Sequence, residues 1–514
     1  MAGPRYEPEI AQFTALGRQG NLVPVCRTLL GDTLTPVSAY EKFARGDYSF
    51  LLESAAGGEK LARYSFLGTD PFLIFRAYGD EVEIESFDHD AHDREAGVKR
   101  KFRSPDPLAE LQKQVFNFRA VEVPGLPRFC GGAVGYAAYD AIRYIERLPS
   151  PPKDVLGLPD LFFAFYDLMV VFDHLQKTVR VICSARLDGS DPRKAYERAV
   201  ARIDEAVDRL RTPVTKLSDD IAPRGKIVLP YRSNFAKEDF CKAVERCKEY
   251  ILAGDIFQVV LSQRLTARTS APPFDVYRAL RVINPSPYMF YLHFGDVRGT
   301  AAAPLSLIGS SPEVMVKTES GKVTVRPIAG TRPRGATEEE DVALAAELVA
   351  DPKERAEHIM LLDLGRNDVG RISRYGTVKI EEEMIVERFS HVMHMTSSVT
   401  GILAEGKTCF DAFRGCFPAG TVSGAPKIRA MQILDEVEPV KRGPYAGAVG
   451  YVDFRGNLDT CNAIRTLILQ GDQAIVQAGA GIVADSVPER EYEETLNKAS
   501  GLFRAIQVAE SLGA

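Results

Sequence analysis

Between Thr35 and Phe75 the apolar runs Ser49–Leu52, Phe66–Leu67 and Phe72–Phe75 alternate with Gly, Asp and Pro, a pattern that predicts strands and turns. Residues 79–105 are charged and poor in large apolar groups, which predicts an edge hairpin and a solvated loop. Leu161–Phe172 and Val179–Cys183 read as buried strands separated by a polar turn around Lys177. After Asp191-Pro192 the period changes. Tyr196, Val200, Ile203, Val207 and Leu210 step by four and three along one helical face. Thr212–Tyr231 holds three prolines, two adjacent aspartates and no period, and is the expected linker. A boundary near 225 gives two regions, 1–225 and 226–514. Beyond it Phe240, Val244, Cys247 and Ile251 line a helix that stops at Gly254, ahead of a strand over Ile256–Leu265. Helices and strands then alternate to the end, the signature of a mixed α/β (α+β) fold. No internal repeat is visible.

Composition narrows the function classes. At 514 residues, 45% hydrophobic and 26% charged, the chain is ordinary globular material with enough sequence for sizeable cores. With 64 Lys+Arg against 70 Asp+Glu and no block of like charge, neither nucleic acid nor an anionic membrane is the expected main partner. The eight cysteines are scattered without a C-x-x-C pair, as expected of reduced thiols in a cytoplasmic protein. The most apolar stretch, Leu161–Phe172, is broken by Asp167 and falls short of the ~20 residues of a spanning helix. Small-molecule chemistry is the default. Tryptophan is absent, against 19 Tyr and 27 Phe.

Several polar residues sit where apolar ones would cost less. Asp351-Pro352 opens a helix on which Glu354 and Glu357 share a face, and Ser486-Val487-Pro488-Glu489 resembles a capping box ahead of Glu491, Glu494 and Lys498. Alone, each helix reads as a salt-bridged surface helix. Together, two glutamates from each of two helices could face across a cleft, where a hard cation such as Mg²⁺ would neutralise them. Gly420–Gly424 and Gly479-Ala480-Gly481 read as glycine-rich turns whose amides could cradle a carboxylate or phosphate. Walker A spacing fails, because Lys427 follows Gly424 by three. Arg465, inside the apolar run Ala463–Leu469, needs an anion: a substrate carboxylate or a structural partner. His391 and His394 lack zinc-ligand companions, so one general acid or base beside one structural neighbour is expected. Residue chemistry alone leads to a Mg²⁺-dependent enzyme acting on a small carboxylic acid.

Asp255–Ser262, Ser311-Pro312-Glu313, Pro327–Arg332, Glu357–Met360, Arg366-Asn367-Asp368 and Gly420–Lys427 together resemble the chorismate-utilising enzymes, and among them the large subunits of anthranilate synthases. The resemblance runs from about residue 35 to 508. It implies a large mixed α/β chorismate-binding domain with a smaller N-terminal regulatory region packed on it. Gln258 stands where relatives that add water carry a lysine base, and Ala329 where aminodeoxychorismate synthases typically carry lysine. Both favour anthranilate formation from chorismate and ammonia over the aminodeoxychorismate and isochorismate alternatives. A non-catalytic amino-acid-sensing relative is disfavoured by the intact residue set.

By position, the resemblance implies Mg²⁺ ligands at Glu357 and Glu494 with Glu354 and Glu491 beside them. It implies chorismate contacts at Gly330, Thr331, Tyr445, Arg465, Gly479, Ala480, Gly481 and Lys498, and catalytic roles for Glu313 (general acid), His394, Gln258 and Thr421. A tryptophan-binding inhibitory pocket is implied at Glu53, Ser54, Asn284, Pro287, Tyr288, Met289 and Tyr451. No cysteine lies in a glutaminase elbow, so a separate glutamine amidotransferase subunit is implied, in a heterotetramer of two large and two small subunits.

Overall fold

A computed structural model describes residues 5–54, 63–87, 98–187, 189, 191–213, 229–297, 303–389 and 392–512. The boundary near 225 and His391 lie outside the described residues. The fold is mixed α/β, and every pairing between its strands is antiparallel.

The first sheet runs Leu22–Leu30, Thr178–Arg186, Leu168–Asp173, Tyr64–Thr69, Tyr48–Glu53, Tyr288–Phe294, Leu305–Ser311, Thr466–Gln470, Gln473–Ile482, Gln258–Arg268 and Tyr231–Ser233. The second runs Ile328–Pro333, Val392–Ile402, Lys322–Val325, Val314–Glu319, Leu458–Asn462, Ala448–Asp453, Gly132–Ala137, Leu161–Tyr166, Leu73–Tyr78, Glu81–Ser86 and Val98–Arg103. Each sheet takes strands from both sides of residue 225. In the first, the C-terminal strands retrace the path of the N-terminal ones about the central pair Tyr48–Glu53 and Tyr288–Phe294. The topology therefore repeats although the sequence shows no repeat, because a fold needs the same burial pattern and not the same residues.

Phe50, Leu292 and Ile468 of the first sheet meet Ile74, Phe162 and Val449 of the second in one apolar layer. The first sheet's other face packs on helices that include Pro192–Leu210, Pro273–Ile283 and Pro488–Leu512. The second sheet's other face packs on Pro107–Phe116, Pro352–Gly370 and Cys409–Cys416. Both faces of each sheet are thus apolar, which explains why Leu161–Phe172 reads as one run. Leu161, Phe163 and Phe165 face the helix side while Phe162, Ala164 and Tyr166 face the other sheet. The run is two strands, Leu161–Tyr166 and Leu168–Asp173, in different sheets, and the chain crosses between them at Asp167.

Three further crossings share this design, at Asp70–Phe72, Pro312–Glu313 and Ala463–Arg465. In the N-terminal half the buried acids at the crossings meet arginines of helix Pro192–Leu210: Arg202 lies 2.7 Å from Asp167 and Arg209 3.7 Å from Asp70. In the C-terminal half the crossings carry Glu313 and Arg465, and neither has an ion pair among the described residues.

Three local expectations need correction. Pro36–Phe43, within the segment read as strands and turns, is a helix: Thr35 and Ser38 form a capping box, and Ala39, Tyr40 and Phe43 bury one face. Gly479–Gly481 lies inside the strand Gln473–Ile482 rather than in a turn, so its backbone serves the ladder with Gln258–Arg268. Ser486 precedes the helix Pro488–Leu512, and its hydroxyl meets Val483 N and Glu491 instead of closing a box with Glu489.

Candidate active site

Glu313 is 4% exposed at its crossing. The Thr421 hydroxyl donates to Glu313 Oε1 at 2.7 Å, and the Asn462 side-chain amide donates to the same carboxyl. Burial outweighs these two neutral donors and raises the carboxyl from its usual 4.5 to about 7. It is therefore a group that holds a proton near neutrality and can give it up. Asn462 ends the strand Leu458–Asn462, and its backbone N–H donates to the Glu313 carbonyl at 3.0 Å. Nothing in its sequence context, Cys461-Asn462-Ala463, marks it as a partner of Glu313.

The adjacent crossing brings Arg465 in a left-handed conformation, φ +50°, at a cost a non-glycine residue bears only where its surroundings hold it. Its guanidinium makes no hydrogen bond or ion pair among the described residues, and burial lowers its pKa. A buried guanidinium with its donors free in this way is suited to receive an anion. Tyr445, buried with its hydroxyl pushed up to about 12, lies against Gly479, where a Cβ would sit 2.8 Å from the phenol oxygen. Gly481 likewise gives way to Gln258, whose Nε2 would lie 2.7 Å from an added Cβ. The glycines thus clear space above the strand, and Ala480 pairs with Leu261 between them.

Antiparallel pairing sets Thr331 opposite His394, past an irregularity at Gly330, φ +69°. His394 Nδ1 is 3.1 Å from the Gly330 carbonyl and 3.0 Å from Thr331 Oγ1. A carbonyl only accepts, so Nδ1 carries the proton and Nε2 the lone pair. Burial first, then the charges of Arg465 and Lys498, against the Gly330 hydrogen bond, bring His394 down to about 4. It stays neutral above that. Lys498 Nζ donates to Gly479 O at 2.9 Å and lies 2.7 Å from Glu494 Oε1.

The glutamates come from two helices. Asp351 caps Pro352–Gly370 through the N–H groups of Lys353 and Glu354. Lys353 bonds Asp485 at 2.9 Å, just ahead of Pro488–Leu512, and feels the charges of Glu357 and Glu491. Glu357 Oε1 accepts from Gln258 Nε2 at 2.9 Å, while Glu354 is held by Arg332, which also binds Glu347 and Asp351. Burial, against the Ser486 hydroxyl and with the charge of Glu494, raises Glu491. Among the described residues no group of three or more His, Cys, Asp or Glu side chains is gathered as a metal site. The donors nevertheless fit magnesium: they are carboxylate oxygens, two of them repelling each other, and Mg²⁺ is commonly held by one or two carboxylates, substrate oxygens and waters.

Away from this cleft the residues expected to form a tryptophan pocket lie on neighbouring strands and turns. The strand pairing sets Glu53 opposite Met289. Glu53 Oε2 accepts from the Tyr277 hydroxyl at 2.5 Å and lies 3.0 Å from Arg281. Tyr288 donates to Asp459 at 2.7 Å, and Tyr451 stacks on Phe129 at 3.9 Å. Asn284 Nδ2 donates to Ser310 Oγ at 3.1 Å, while the Ser310 N–H donates to the Arg465 carbonyl at 3.1 Å. Ser310 thereby joins the two clusters. Ser54 and Pro287 flank the paired strands.

These features define a class, and comparison assigns the chain to it: the chorismate binding enzyme family matches residues 48–504, so the protein belongs to that family. Within the family it is similar to anthranilate synthase component 1 of Acetivibrio thermocellus, 48% identical over 98% of this chain and 99% of that protein. The corresponding Pseudomonas aeruginosa protein is 49% identical over 97% and 98%. The crystal structure of anthranilate synthase component I from Streptococcus pneumoniae superposes with a TM-score of 0.73 at 37% identity, covering 92% of this chain and 98% of that one. No described helix is long and apolar enough to cross a membrane.

Proposed function

We propose that the chain is the large subunit of an anthranilate synthase, converting chorismate and ammonia to anthranilate and pyruvate for tryptophan synthesis. The observation that carries this reading is Glu313, a buried carboxyl raised to about 7 with only neutral donors on it. Such a group protonates the departing C4 hydroxyl of chorismate as ammonia adds at C2, releasing water. Gln258 Oε1 is buried without a partner among the described residues and suits the role of accepting a hydrogen bond from incoming ammonia. Arg465 supplies two parallel donors for a substrate carboxylate, with Tyr445, Thr331 and Lys498 around it. His394, neutral and with its lone pair at Nε2, assists the second stage, in which the C2 proton leaves and pyruvate departs as the ring becomes aromatic. Glu357 and Glu494, with Glu354 and Glu491 beside them, would hold a magnesium ion, which would supply positive charge for the ring carboxylate.

Glutamine is used through a partner. Burial raises all eight thiols, so none is an activated nucleophile. A glutamine amidotransferase subunit supplies ammonia, in a complex of two large and two small subunits. The test is to incubate the isolated chain with chorismate, Mg²⁺ and either an ammonium salt or glutamine, and to identify products. Anthranilate and pyruvate are expected with ammonium only. Aminodeoxychorismate or isochorismate as sole product sinks the reading.

Tryptophan acts as a feedback inhibitor at the Glu53–Ser54 and Asn284–Met289 cluster. Ser310 gives a physical route for coupling, since it bonds the cluster on one side and the Arg465 crossing on the other. Ser54→Phe should fill the pocket and raise the half-inhibitory tryptophan concentration ~10-fold or more, a loss of ~1.4 kcal/mol in tryptophan binding, with little change in uninhibited rate. Equal inhibition of wild type and variant places the site elsewhere.

A further inference from the structure

Among the described residues Arg442 is the largest fully buried side chain, at 1% exposure, and it has no part in the proposed reaction steps. Its Nε and Nη2 bind Glu438 Oε2 and Oε1 at 2.8 and 2.7 Å. Its remaining bonds go to two backbone carbonyls: Nη1 to Val422 at 2.7 Å and Nη2 to Val260 at 2.6 Å. Val422 follows Thr421, and Val260 lies two residues from Gln258. The guanidinium also lies over the rings of Tyr139 and Tyr445, 4.7 and 5.7 Å from their centroids. One side chain therefore touches the loop that carries the Glu313 partner, the strand that carries Gln258, and Tyr445. Glu438 extends the network, accepting from Ser262 N and Oγ at 2.9 and 2.7 Å.

We propose that Arg442, fixed by Glu438, is a positioning residue that clamps the Gly420–Ser423 loop to the strand Gln258–Arg268 and so sets the Thr421 hydroxyl on Glu313. This rests on the reading of Glu313 as the general acid. Stability alone does not account for the pair, since a buried ion pair is often replaceable by apolar residues without loss. The fork does what an apolar or point-charged residue cannot: it spans two carbonyls on separate segments while both carboxylate oxygens hold its plane. The loop has only a few other ties to the strand, namely Val260 N–H to Ser423 O at 3.0 Å and the short pairing at Gly424–Ala425. Around the Glu313 carboxyl the polar groups are Thr421 and Asn462, both neutral, while Ser311 Oγ pairs with the Glu313 backbone and the Cys416 thiol, raised by burial, lines the adjoining cavity. Arg326 and Asp368 also line it but are paired with Glu382 and Glu387 and with Lys427.

The Thr421 hydrogen bond lowers the Glu313 pKa against burial, so releasing it moves the alkaline limb of kcat upward. Losing one such bond corresponds to about half to one pH unit. The experiment measures kcat and KM for chorismate against pH in wild type, Thr421→Val, Arg442→Lys, Glu438→Gln and the Arg442→Lys/Thr421→Val double variant. Thr421→Val, Arg442→Lys and Glu438→Gln should all move the limb upward by similar amounts, with kcat reduced about 10-fold, and the double variant should go no further than the singles. If Arg442→Lys does not fold, Glu438→Gln, which keeps the shape of the network, carries the test. A limb moved by Thr421→Val but unmoved by the other two removes the clamp alone. A limb unmoved even by Thr421→Val removes the clamp together with the acid assignment beneath it.

Discussion

Glu313→Gln should lower kcat by roughly 10²–10⁴-fold, the range for a lost general acid, while KM for chorismate stays within a few-fold. In the wild type, kcat should fall tenfold per pH unit above about 7, because the acid form is the active one and burial has raised its pKa to that value. The same shift also makes stability depend on pH. A carboxyl raised on folding stabilises the folded state fully below its ordinary pKa of 4.5 and loses that contribution as pH rises toward 7. Glutamine cannot ionise. The stability of Glu313→Gln relative to wild type should therefore grow by on the order of 3 kcal/mol from acid to mildly alkaline pH, read by urea unfolding. A variant that loses activity and gains alkaline stability separates catalysis from folding. Full activity in the variant, or a wild-type profile flat through pH 7, would falsify the assignment.

Glu357→Gln and Glu494→Gln should each weaken magnesium binding by at least the ~10–100-fold that follows removal of groups merely supporting a ligand. The activity at limiting Mg²⁺ should fall in step. Glu357→Gln keeps an acceptor for Gln258 Nε2, so it tests the charge and not the hydrogen bond. Lys498 meets Glu494, and in Glu494→Gln its ammonium loses an ionic partner but keeps the Gly479 carbonyl. Calorimetric titration with Mg²⁺ in the presence and absence of chorismate reads binding independently of turnover. Unchanged titrations in both variants would show that the metal is held by other groups.

Many of the elements that carry the proposed site were legible in the chain from local pattern alone. The helical steps along Pro192–Leu210 and Lys237–Leu252, the Asp351-Pro352 start and the paired glutamates are written at spacings a helix imposes, so local periodicity reads them. The ordered motifs from Asp255 to Lys427 carried the family resemblance. Pro36–Phe43 was readable too, since Thr35-Pro36 is a cap followed by a favoured first residue; the strand signals around it masked the helix.

What the tertiary structure alone decided lies where the chain changes sheet. Asp167, Glu313 and Arg465 each interrupt or follow apolar sequence, and nothing local distinguishes the ion-paired acid, Asp167, from Glu313, the proposed general acid. The difference is made by residues remote in sequence. Helix Pro192–Leu210 brings Arg202 to Asp167, whereas Glu313 receives only the neutral Thr421 and Asn462. The pairing of Thr331 with His394, of Glu53 with Met289, and the doubled strand path are equally non-local. The physical reason is that periodicity records which face of an element is buried, while proton affinity and ligand geometry depend on what is buried against it. The sequence by itself determined the residues available for chemistry and the elements that carry them; packing between distant segments determined their charge states and their partners.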